Sequence, residues 1–303
     1  MQVDPNYAST LTSSLNNVQA QQEQFSSELS SGVRVNQLSD DPAAAGENVL
    51  LLNSIQQDDT FTQTSNSVTG QLQVADTALG SIVTELTSAI QLATEANNGT
   101  NNASNVESIS NQLTGIRSEV ESLANTSYQG SFLFAGNNTT TAPFSTSAST
   151  SPAVTSYSGD SGINYLEAPN GEKIQLNIPG NQIFQGSGNN NVFQALNNLI
   201  ADYSTGTVDS TKAVSDTEAL NTALNYLSQQ RVTLDNSINQ VTSASSAATN
   251  GETQLTAAQT NLMQADVAQI STQLALTETQ QTALESVISQ LDSQSNSLFS
   301  KLS

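Results

Sequence analysis

Apolar side chains at both ends of the chain recur at gaps of three and four residues, which is the spacing of a coiled-coil seam. The N-terminal row follows Ala8 and consists of Leu11, Leu15, Val18, Phe25 and Leu29. The C-terminal row consists of Met263, Val267, Ile270, Leu274, Leu284, Ile288, Leu291, Leu298 and Leu302. A row this narrow must be covered by a second helix, so the terminal segments are predicted to pack against each other or against neighbouring subunits.

The middle of the chain has longer helical patterns. A helix is predicted to begin at Asp41–Pro42, because Asp is a good N-cap and Pro suits the first helical position. Its apolar seam runs from Val68 to Ala93, and the polar run 97–102 ends it. A second seam follows without a polar interruption, at Val106, Ile109, Leu113, Ile116, Val120 and Leu123. The two segments therefore predict an antiparallel helical hairpin.

The segment from residue 137 to 216 has a different character, because Ser, Thr, Asn, Gly and Pro dominate it. Apolar and polar residues alternate over 174–178, as on a half-buried strand. The turn at 169–171 ends in Asn-Gly, which favours a tight hairpin with the apolar segment 163–166. A short helix with one apolar side is expected over 192–203. This part is predicted to be a small β-containing insertion.

Helical spacing returns from Leu220 to Val241, with Arg231 within the seam. By Met263 the apolar row has shifted by one residue, which either changes the winding of a coiled coil locally or marks a boundary between helical segments. The predicted fold class is therefore mainly α with a β-containing insertion. A discontinuous stem, either a coiled coil or a helical bundle, is formed by the N- and C-terminal segments and carries a small outer mixed or β domain.

This pattern predicts three parts. Residues 1–40 with 256–303 form terminal coiled-coil segments, which are expected to be disordered in the free monomer. Residues 41–136 with 217–255 form a helical core domain, and residues 137–216 form the outer β-containing domain.

Composition narrows the range of partners. The chain has 303 residues, a net charge of -21 and only six basic residues. Nucleic acids and anionic lipids require clustered Lys and Arg, so neither a nucleic acid nor a membrane is a predicted partner. Residues 1–10 have neither a basic start nor an apolar run, and no cleavable secretory signal is predicted.

The inventory of reactive side chains argues against catalysis. The chain contains no His and no Cys, which removes the usual general bases, thiol nucleophiles and soft metal ligands. The best carboxylate pair, Asp40–Asp41, is predicted to cap the helix that begins at Pro42. Arg34 and Arg117 are predicted to anchor ion pairs, and Asp58–Asp59 is predicted to lie on a solvated helix face. No enzyme activity, cofactor or metal site is predicted.

The stretch from Leu29 to Ala43 resembles the signature that follows the first helix in the flagellin superfamily. The matching positions are Gly32, Arg34, Asn36, Asp40, Asp41 and Pro42. Val33 departs from the pattern, in which Lys or Leu is common. The stretch 123–136 is similar to the end of the helical hairpin in the same superfamily. Its closing residues, which include Phe134 and Gly136, resemble the hook–filament junction proteins more than the filament flagellins, as do residues 178–184 and 192–200.

The resemblance implies an exported structural subunit of the bacterial flagellum. It would be an adaptor between hook-associated protein 1 and the flagellin filament, located outside the cell at the hook–filament junction. Further implied partners are other copies of the chain, in a ring at the hook tip, and a flagellar export chaperone. The implied secretion route is the flagellar type III system. The two terminal apolar rows would then form the assembly interface.

Two other functions remain open from the sequence. A divergent flagellin would form the filament itself, and its copy number would be far higher than that of a junction protein. A surface adhesin on a helical stalk would need exposed aromatic residues clustered on the insertion.

Overall fold

A computed structural model describes residues 5–186 and 190–302. The side chains of residues 5, 6, 8 and 294–302 lie outside the described part, and so do the predicted contacts of Ala8, Leu298 and Leu302. The helices are α1 (Pro5–Ser31), α2 (Pro42–Ala96), α3 (Ala103–Ala124), α4 (Gly180–Phe184), α5 (Val192–Tyr203), α6 (Ser210–Met263) and α7 (Val267–Leu302). The strands are β1 (Ser127–Tyr128), β2 (Ser131–Phe132), β3 (Phe144–Ser147), β4 (Val154–Tyr157), β5 (Tyr165–Glu167) and β6 (Lys173–Gln175).

The structure confirms the predicted fold class, which is mainly α-helical with a β-containing insertion between helices. The chain divides into two compact units. One comprises Met1–Gln56 with Gly251–Ser303, and the other comprises Gln57–Asn250. Both chain termini thus contribute to the first unit, which we call the terminal unit, and we call the other the central unit. The three-part division expected from the sequence stays a prediction. No helix within 5–186 and 190–302 combines the length and the apolar character needed to cross a bilayer.

The central unit is built around the predicted helical seams. Along α2, Leu72, Leu79 and Leu86 are almost fully buried, and α3 contributes Leu113 and Val120 to the same core. The seam of α6 faces this core through Leu220, Ala223, Leu227, Leu234 and Val241. The connection between α2 and α3 ends α2 with Gly99 at φ +67°. Asn102 then caps α3, because its Oδ1 accepts a hydrogen bond from the Asn105 backbone N–H at 2.8 Å.

Arg231 lies in the α6 seam because it forms a two-pronged ion pair with α2. Its Nε and Nη2 donate to the two carboxylate oxygens of Asp76 at 2.6 and 3.0 Å. Gly80 leaves room for the guanidinium, since a Cβ there would lie only 3.4 Å from it. This geometry keeps a charged group in a helix seam without leaving it unpaired.

The strands form two-stranded antiparallel sheets. The sheets β3–β4 and β5–β6 lie in the insertion, and β1–β2 lies just before it. The predicted hairpin at Asn170–Gly171 is present, with Leu166 opposite Ile174 and with Gly171 at φ +83°. The alternation expected over 174–178 is only partly correct, because β6 ends at Gln175 and Asn177 is buried. Asn177 is satisfied there, since it accepts from the Asn164 N–H at 2.7 Å and donates to the Gly162 carbonyl at 3.0 Å.

Aromatic rings form the core of the insertion. The Phe144 ring lies 5.1 Å from that of Phe193 and 5.3 Å from that of Phe184, which meets Phe134 edge-on at 5.6 Å. The side chain of Asn125, just after α3, donates to the Phe144 carbonyl and accepts from the Phe144 N–H, both at 2.9 Å. These contacts attach β3 to the end of the helical hairpin.

Two sequence predictions about charged residues are wrong. Arg117 forms no ion pair with any described carboxylate; its Nη1 donates to Asn197 Oδ1 at 3.2 Å instead. Asn197 is buried on α5. Asp58 is buried, whereas Asp59 is exposed and accepts from Gln63. Helical periodicity alone could not separate these two neighbouring carboxylates.

Leu113→Ala is expected to destabilise the central unit, because Leu113 is completely buried in the α3 seam. The loss should be about 2–5 kcal/mol, which would lower Tm by several degrees in thermal unfolding followed by circular dichroism. Gln112→Ala, on the exposed side of the same helix, should change the stability by less than about 0.5 kcal/mol. Equal melting curves for wild type and Leu113→Ala would contradict the assignment of this core.

Gly136→Ala is expected to destabilise the protein more than Gly130→Ala does. Both glycines have positive φ, at +71° and +84°, so an alanine costs about 1–2 kcal/mol at either position. A Cβ on Gly136 would also overlap the carboxylate and carbonyl oxygens of Asp160, whereas nothing lies within 4 Å of a Cβ on Gly130. Urea unfolding of the two variants gives the comparison, and an equal loss of stability would show that the contact with Asp160 is not tight.

Candidate assembly surface

Main-chain hydrogen bonds join the loop after α1 to the break between α6 and α7. The Arg34 N–H donates to the Met263 carbonyl at 2.7 Å, and the Ala265 N–H donates to the Gly32 carbonyl at 3.0 Å. Gly32 closes α1, because its φ of +69° is the left-handed conformation that terminates helices. The loop after α1 is thereby attached to the break between α6 and α7.

The charged residues of the family signature hold this loop in shape. Arg34 Nη1 lies 3.0 Å from Asp41 Oδ2, and its Nη2 donates to the Leu262 carbonyl at 3.3 Å. Asp41 caps α2, since its Oδ1 accepts from the Ala44 N–H at 3.0 Å. That backbone hydrogen bond, followed by the hydrogen bond from Arg34, lowers the pKa of Asp41. Pro42 occupies the first helical position, where its missing N–H is harmless.

Asp40 and Asn36 complete the turn. Asp40 Oδ2 accepts from the backbone N–H groups of Asn36 and Gln37 at 3.0 and 2.8 Å. The Asn36 side chain donates to Ser31 Oγ at 3.1 Å and to the Val33 carbonyl at 3.2 Å. The signature residues therefore shape a turn and cap a helix, as the sequence indicated for Asp40–Asp41. Phe134 and Gly136, the two signature residues of the second stretch, lie in the central unit.

Helices α1 and α7 pack against each other. The end of α1 is bonded to the start of α7, so the two helices run antiparallel. On α1, Leu11, Leu15, Val18 and Phe25 are half-buried, and Leu29 is exposed. On α7, Ile270 is buried, and Leu274, Leu284, Ile288 and Leu291 are half-buried. The structure thus brings the predicted N-terminal and C-terminal rows together, with the side chain of Leu298 outside the described part.

The break between α6 and α7 determines how much of α7 is covered. An uninterrupted final helix from residue 256 would be about 70 Å long, and its later part, including Ile288, would extend beyond α1. The break at 264–266 shortens α7 to 36 residues, which is about 54 Å, whereas α1 has 27 residues and spans about 40 Å. Because the end of α1 and the start of α7 are held side by side, α1 reaches along α7 as far as Leu284, Ile288 and Leu291.

Exposed apolar side chains concentrate in the terminal unit. Among the described residues, nine of the thirteen large apolar side chains that are exposed belong to it, although it contains little more than a third of the chain. They are Tyr7, Leu29, Leu38, Val49, Leu50, Leu52, Val267, Leu276 and Val287. This distribution makes the terminal unit the candidate for an interaction surface.

The start of α2 is a part of this surface that the sequence analysis missed. Val49, Leu50 and Leu52 are exposed by 56, 68 and 46%, while Leu51 is half-buried. Residues 43–52 are apolar on nearly every side of the helix, whereas a solvated helix has a polar face. This apolar run was the signal in the sequence that could have identified the exposed surface. One side of this segment lies within the terminal unit, where the Gln259 side chain donates to Asn48 at 2.9 Å.

The exposed apolar side chains of the terminal unit can pack against other helices. Across 5–186 and 190–302, no three His, Cys, Asp or Glu side chains come together in a group that could hold a metal ion. The charged side chains at the joint all serve as caps or as partners of Arg34. The chemical property that remains is apolar surface area, which suits another helix.

Comparison with known proteins agrees with this architecture. Residues 5–139 match the family of the bacterial flagellin N-terminal helical region. Flagellar hook-associated protein 3 of Escherichia coli is 28% identical over 240 residues, which cover 75% of this chain and 72% of that protein. Its counterpart in Salmonella typhimurium is 32% identical over 133 residues, covering 44% of this chain and 42% of that protein.

The fold is also shared with a solved structure. Flagellar hook-associated protein 3 from Legionella pneumophila superposes with a TM-score of 0.62, at 14% sequence identity, over 70% of this chain and 98% of that chain. Residues 5–139 of the chain are therefore similar to the flagellin N-terminal helical region, and the chain as a whole is similar to flagellar hook-associated protein 3.

Proposed function

We propose that this protein is a structural component of the bacterial flagellum that joins hook-associated protein 1 to the flagellin filament. The match of residues 5–139 to the flagellin N-terminal helical region supports a flagellar role. Support for the junction comes from the relatives in Escherichia coli and Salmonella typhimurium, both named flagellar hook-associated protein 3. A structural role without catalysis is in keeping with a chain that has neither His nor Cys.

The observation that carries this proposal is the concentration of exposed apolar side chains in the terminal unit. Val49 and Leu50, which are adjacent on α2, and Leu276 on α7 are examples of these exposed side chains. In an assembly these side chains leave water, and each contributes roughly 1.5–3 kcal/mol when fully buried. The terminal unit is thus the part of the chain that we expect to contact other flagellar subunits.

We assign the assembly interface to α1 and α7. Two antiparallel helices with half-buried seams leave part of each seam open to further helices. The partners in this proposal are hook-associated protein 1, flagellin and further copies of this chain in a ring at the hook tip. The chain has a charge of -21, so contact between copies must rest mainly on apolar burial and should strengthen as salt screens the repulsion.

Export and location follow from the same proposal. The protein would leave the cell through the flagellar type III system with the help of an export chaperone, and it would reside at the hook–filament junction. The absence of cysteine means that no disulfide opposes unfolding for passage through a channel. The half-buried α1–α7 pair would open with less free energy than the densely packed central unit.

An adhesin receives little support from the structure. Within the described residues of 137–216, Tyr165 is the one aromatic side chain among the exposed large apolar residues. The Phe side chains of the insertion are buried in its core, where they stabilise the fold. A flagellin that forms the filament stays distinguishable by its amount: sheared filaments would then consist mainly of this protein, whereas a junction protein would be a trace component.

Amide hydrogen exchange should separate the two units. In the free protein, backbone amides of residues 8–29 and 267–302 are expected to exchange much faster than those of α3, because a helix pair with half-buried seams is marginal by itself. Mass spectrometry of peptides after deuterium labelling gives the rates. The control is the same measurement across a concentration series, which identifies self-association. Slow exchange in both segments of a proven monomer would contradict an assembly-dependent terminal unit.

Ile288→Asp should prevent assembly. The new carboxylate would lie in the half-buried α7 seam, where an unpaired charge is strongly unfavourable. Because the central unit has its own core, its melting transition should remain, whereas α1 loses its packing partner. In a strain without the native gene, the variant should leave cells without filaments and with flagellin in the medium.

Ser289→Asp is the matched control for this experiment, because it adds the same charge at the next position, on the exposed side of α7. It should support normal filaments. Normal filaments with Ile288→Asp would show that the seam is not the junction surface. Loss of the central melting transition would show instead that α7 belongs to the folding core.

A further inference from the structure

An open groove of about 570 Å³ lies between α2 and α3 in the central unit. Residues from 85 to 95 of α2 line one side of it, and residues from 112 to 116 of α3 line the other. The α2 side therefore extends over about 15 Å, which is the length of about three turns of an α-helix. A groove of this length between two helices has room for a third.

The groove combines apolar and acidic side chains. Leu92 and Ile116 are half-buried, because they pack against the core of the central unit and also line the groove. The charged residues that line it, Glu85 and Glu95, are both acidic. Glu119, one turn beyond Gly115 on α3, is exposed and adds a further negative charge nearby. The groove thus offers apolar contact together with a negative potential.

Gly115 has no explanation within the chain itself. Glycine is unfavourable in the interior of a helix, and α3 holds Gly115 in an ordinary helical conformation. In α2, a Cβ on Gly70 would lie 2.9 Å from the Tyr128 hydroxyl, and one on Gly80 would lie 3.4 Å from the Arg231 guanidinium. A Cβ on Gly115 would meet nothing within 4 Å. The space that this glycine leaves open lies in the groove and permits the close approach of another backbone.

Charge identifies the kind of helix that fits. An occupant needs apolar side chains for Leu92 and Ile116 and cations for Glu85 and Glu95. A second copy of this chain cannot supply two cations within three helical turns, because its two closest basic residues are 19 positions apart in the sequence. The complementary partner is therefore a different protein.

We propose that the groove between α2 and α3 is a docking site for a basic amphipathic helix of another protein. The apolar row of that helix packs on Leu92 and Ile116, and its backbone approaches α3 at Gly115. Lysine or arginine side chains beside the row pair with Glu85 and Glu95. The site lies within the central unit, so it is distinct from the interface assigned to α1 and α7 and goes beyond the proposed role at the junction.

A synthetic peptide tests the site on the full chain. The probe is a fluorescently labelled helix of about four turns, with leucines at gaps of three and four and lysines on both sides of that row. Fluorescence anisotropy at physiological salt should show saturable binding of one peptide per chain. A peptide with glutamates in place of the lysines should not bind. No saturable binding of the basic peptide, or equal binding of both peptides, would overturn the proposal.

Gly115→Leu separates the groove from general attraction to an acidic chain. The variant keeps the net charge and fills the groove, so Kd should rise by about tenfold or more. Tm should rise by about 2 °C, because leucine is the better helix former, and unfolding would then not account for the lost binding. Ser118→Leu, at an exposed position of α3 outside the groove lining, is the matched control and should leave Kd unchanged. Equal Kd for wild type and Gly115→Leu would contradict docking here.

A pair of charge variants tests the acidic residues. Glu85→Gln combined with Glu95→Gln should raise Kd by about tenfold and reduce its dependence on salt. The control pair, Glu107→Gln with Glu218→Gln, removes the same charge from exposed positions outside the groove lining and should change Kd by less than about twofold. Equal weakening by the two pairs would mean that the peptide is attracted only by the net charge, and the proposal would fail.

Hydrogen exchange locates the bound peptide. Binding should slow the exchange of backbone amides in residues 85–95 and 108–119. Protection confined to α1 and α7 would place the peptide on the assembly interface, which would overturn the docking site and leave the proposed function intact. Protection of residues 85–95 and 108–119 at high protein concentration without peptide would identify a second copy as the occupant, and that result would also overturn the proposal.

Discussion

The organisation of the terminal unit depends on a pair of main-chain hydrogen bonds between connections more than 200 residues apart in the chain. Gly32 and Arg34 on one side, and Met263 and Ala265 on the other, exchange these bonds at 2.7 and 3.0 Å. They place the end of α1 beside the start of α7, and the antiparallel pairing of the two helices follows. The turn that presents these groups requires the positive φ of Gly32 and the cap supplied by Asp41. The signature residues of this loop, such as Gly32 and Asp41, thus stabilise a backbone conformation.

The two units use apolar side chains differently. In the central unit, three long helical seams meet and enclose residues such as Leu79, Leu86 and Leu227 completely. In the part of the terminal unit formed by α1 and α7, two helices meet along one seam, and each helix keeps much of its circumference in contact with water. Two helices cannot enclose a core, so half-buried side chains are the geometric consequence. This difference explains how one chain can hold a stable body and also keep an apolar surface available for other subunits.

Buried polar side chains determine how the insertion is attached. Asn125 is bonded to both backbone groups of Phe144, and Asn197 connects Arg117 to Thr155 of β4. Each of these amides is satisfied only when helix and hairpin lie in one arrangement, so they specify the docking more strictly than the aromatic cluster does.

The sequence by itself determined the long helices, the hairpin at Asn170–Gly171 and the similarity to the flagellin N-terminal helical region. The helices and the hairpin follow from local rules: apolar spacing, caps at Asp41 and Asn102, and glycine where φ is positive. The shift of the apolar row near Met263 allowed either a local change in coiled-coil winding or a boundary, and the structure has a boundary there. They also identified Leu113 and the α6 seam as core positions, since an uninterrupted row has to be covered.

Only the tertiary structure decided which side chains are covered by other elements of the same chain. The pattern of α7 is the same whether its seam faces α1 or a neighbouring subunit, and the coverage of Ile288 depends on the break at 264–266. Likewise, Arg117 selects an amide and not a carboxylate, and Asp58 is buried while Asp59 is not. These outcomes depend on contacts between residues far apart in the chain. Periodicity records which face of a helix is apolar, whereas the identity of the covering surface is a property of the packed molecule.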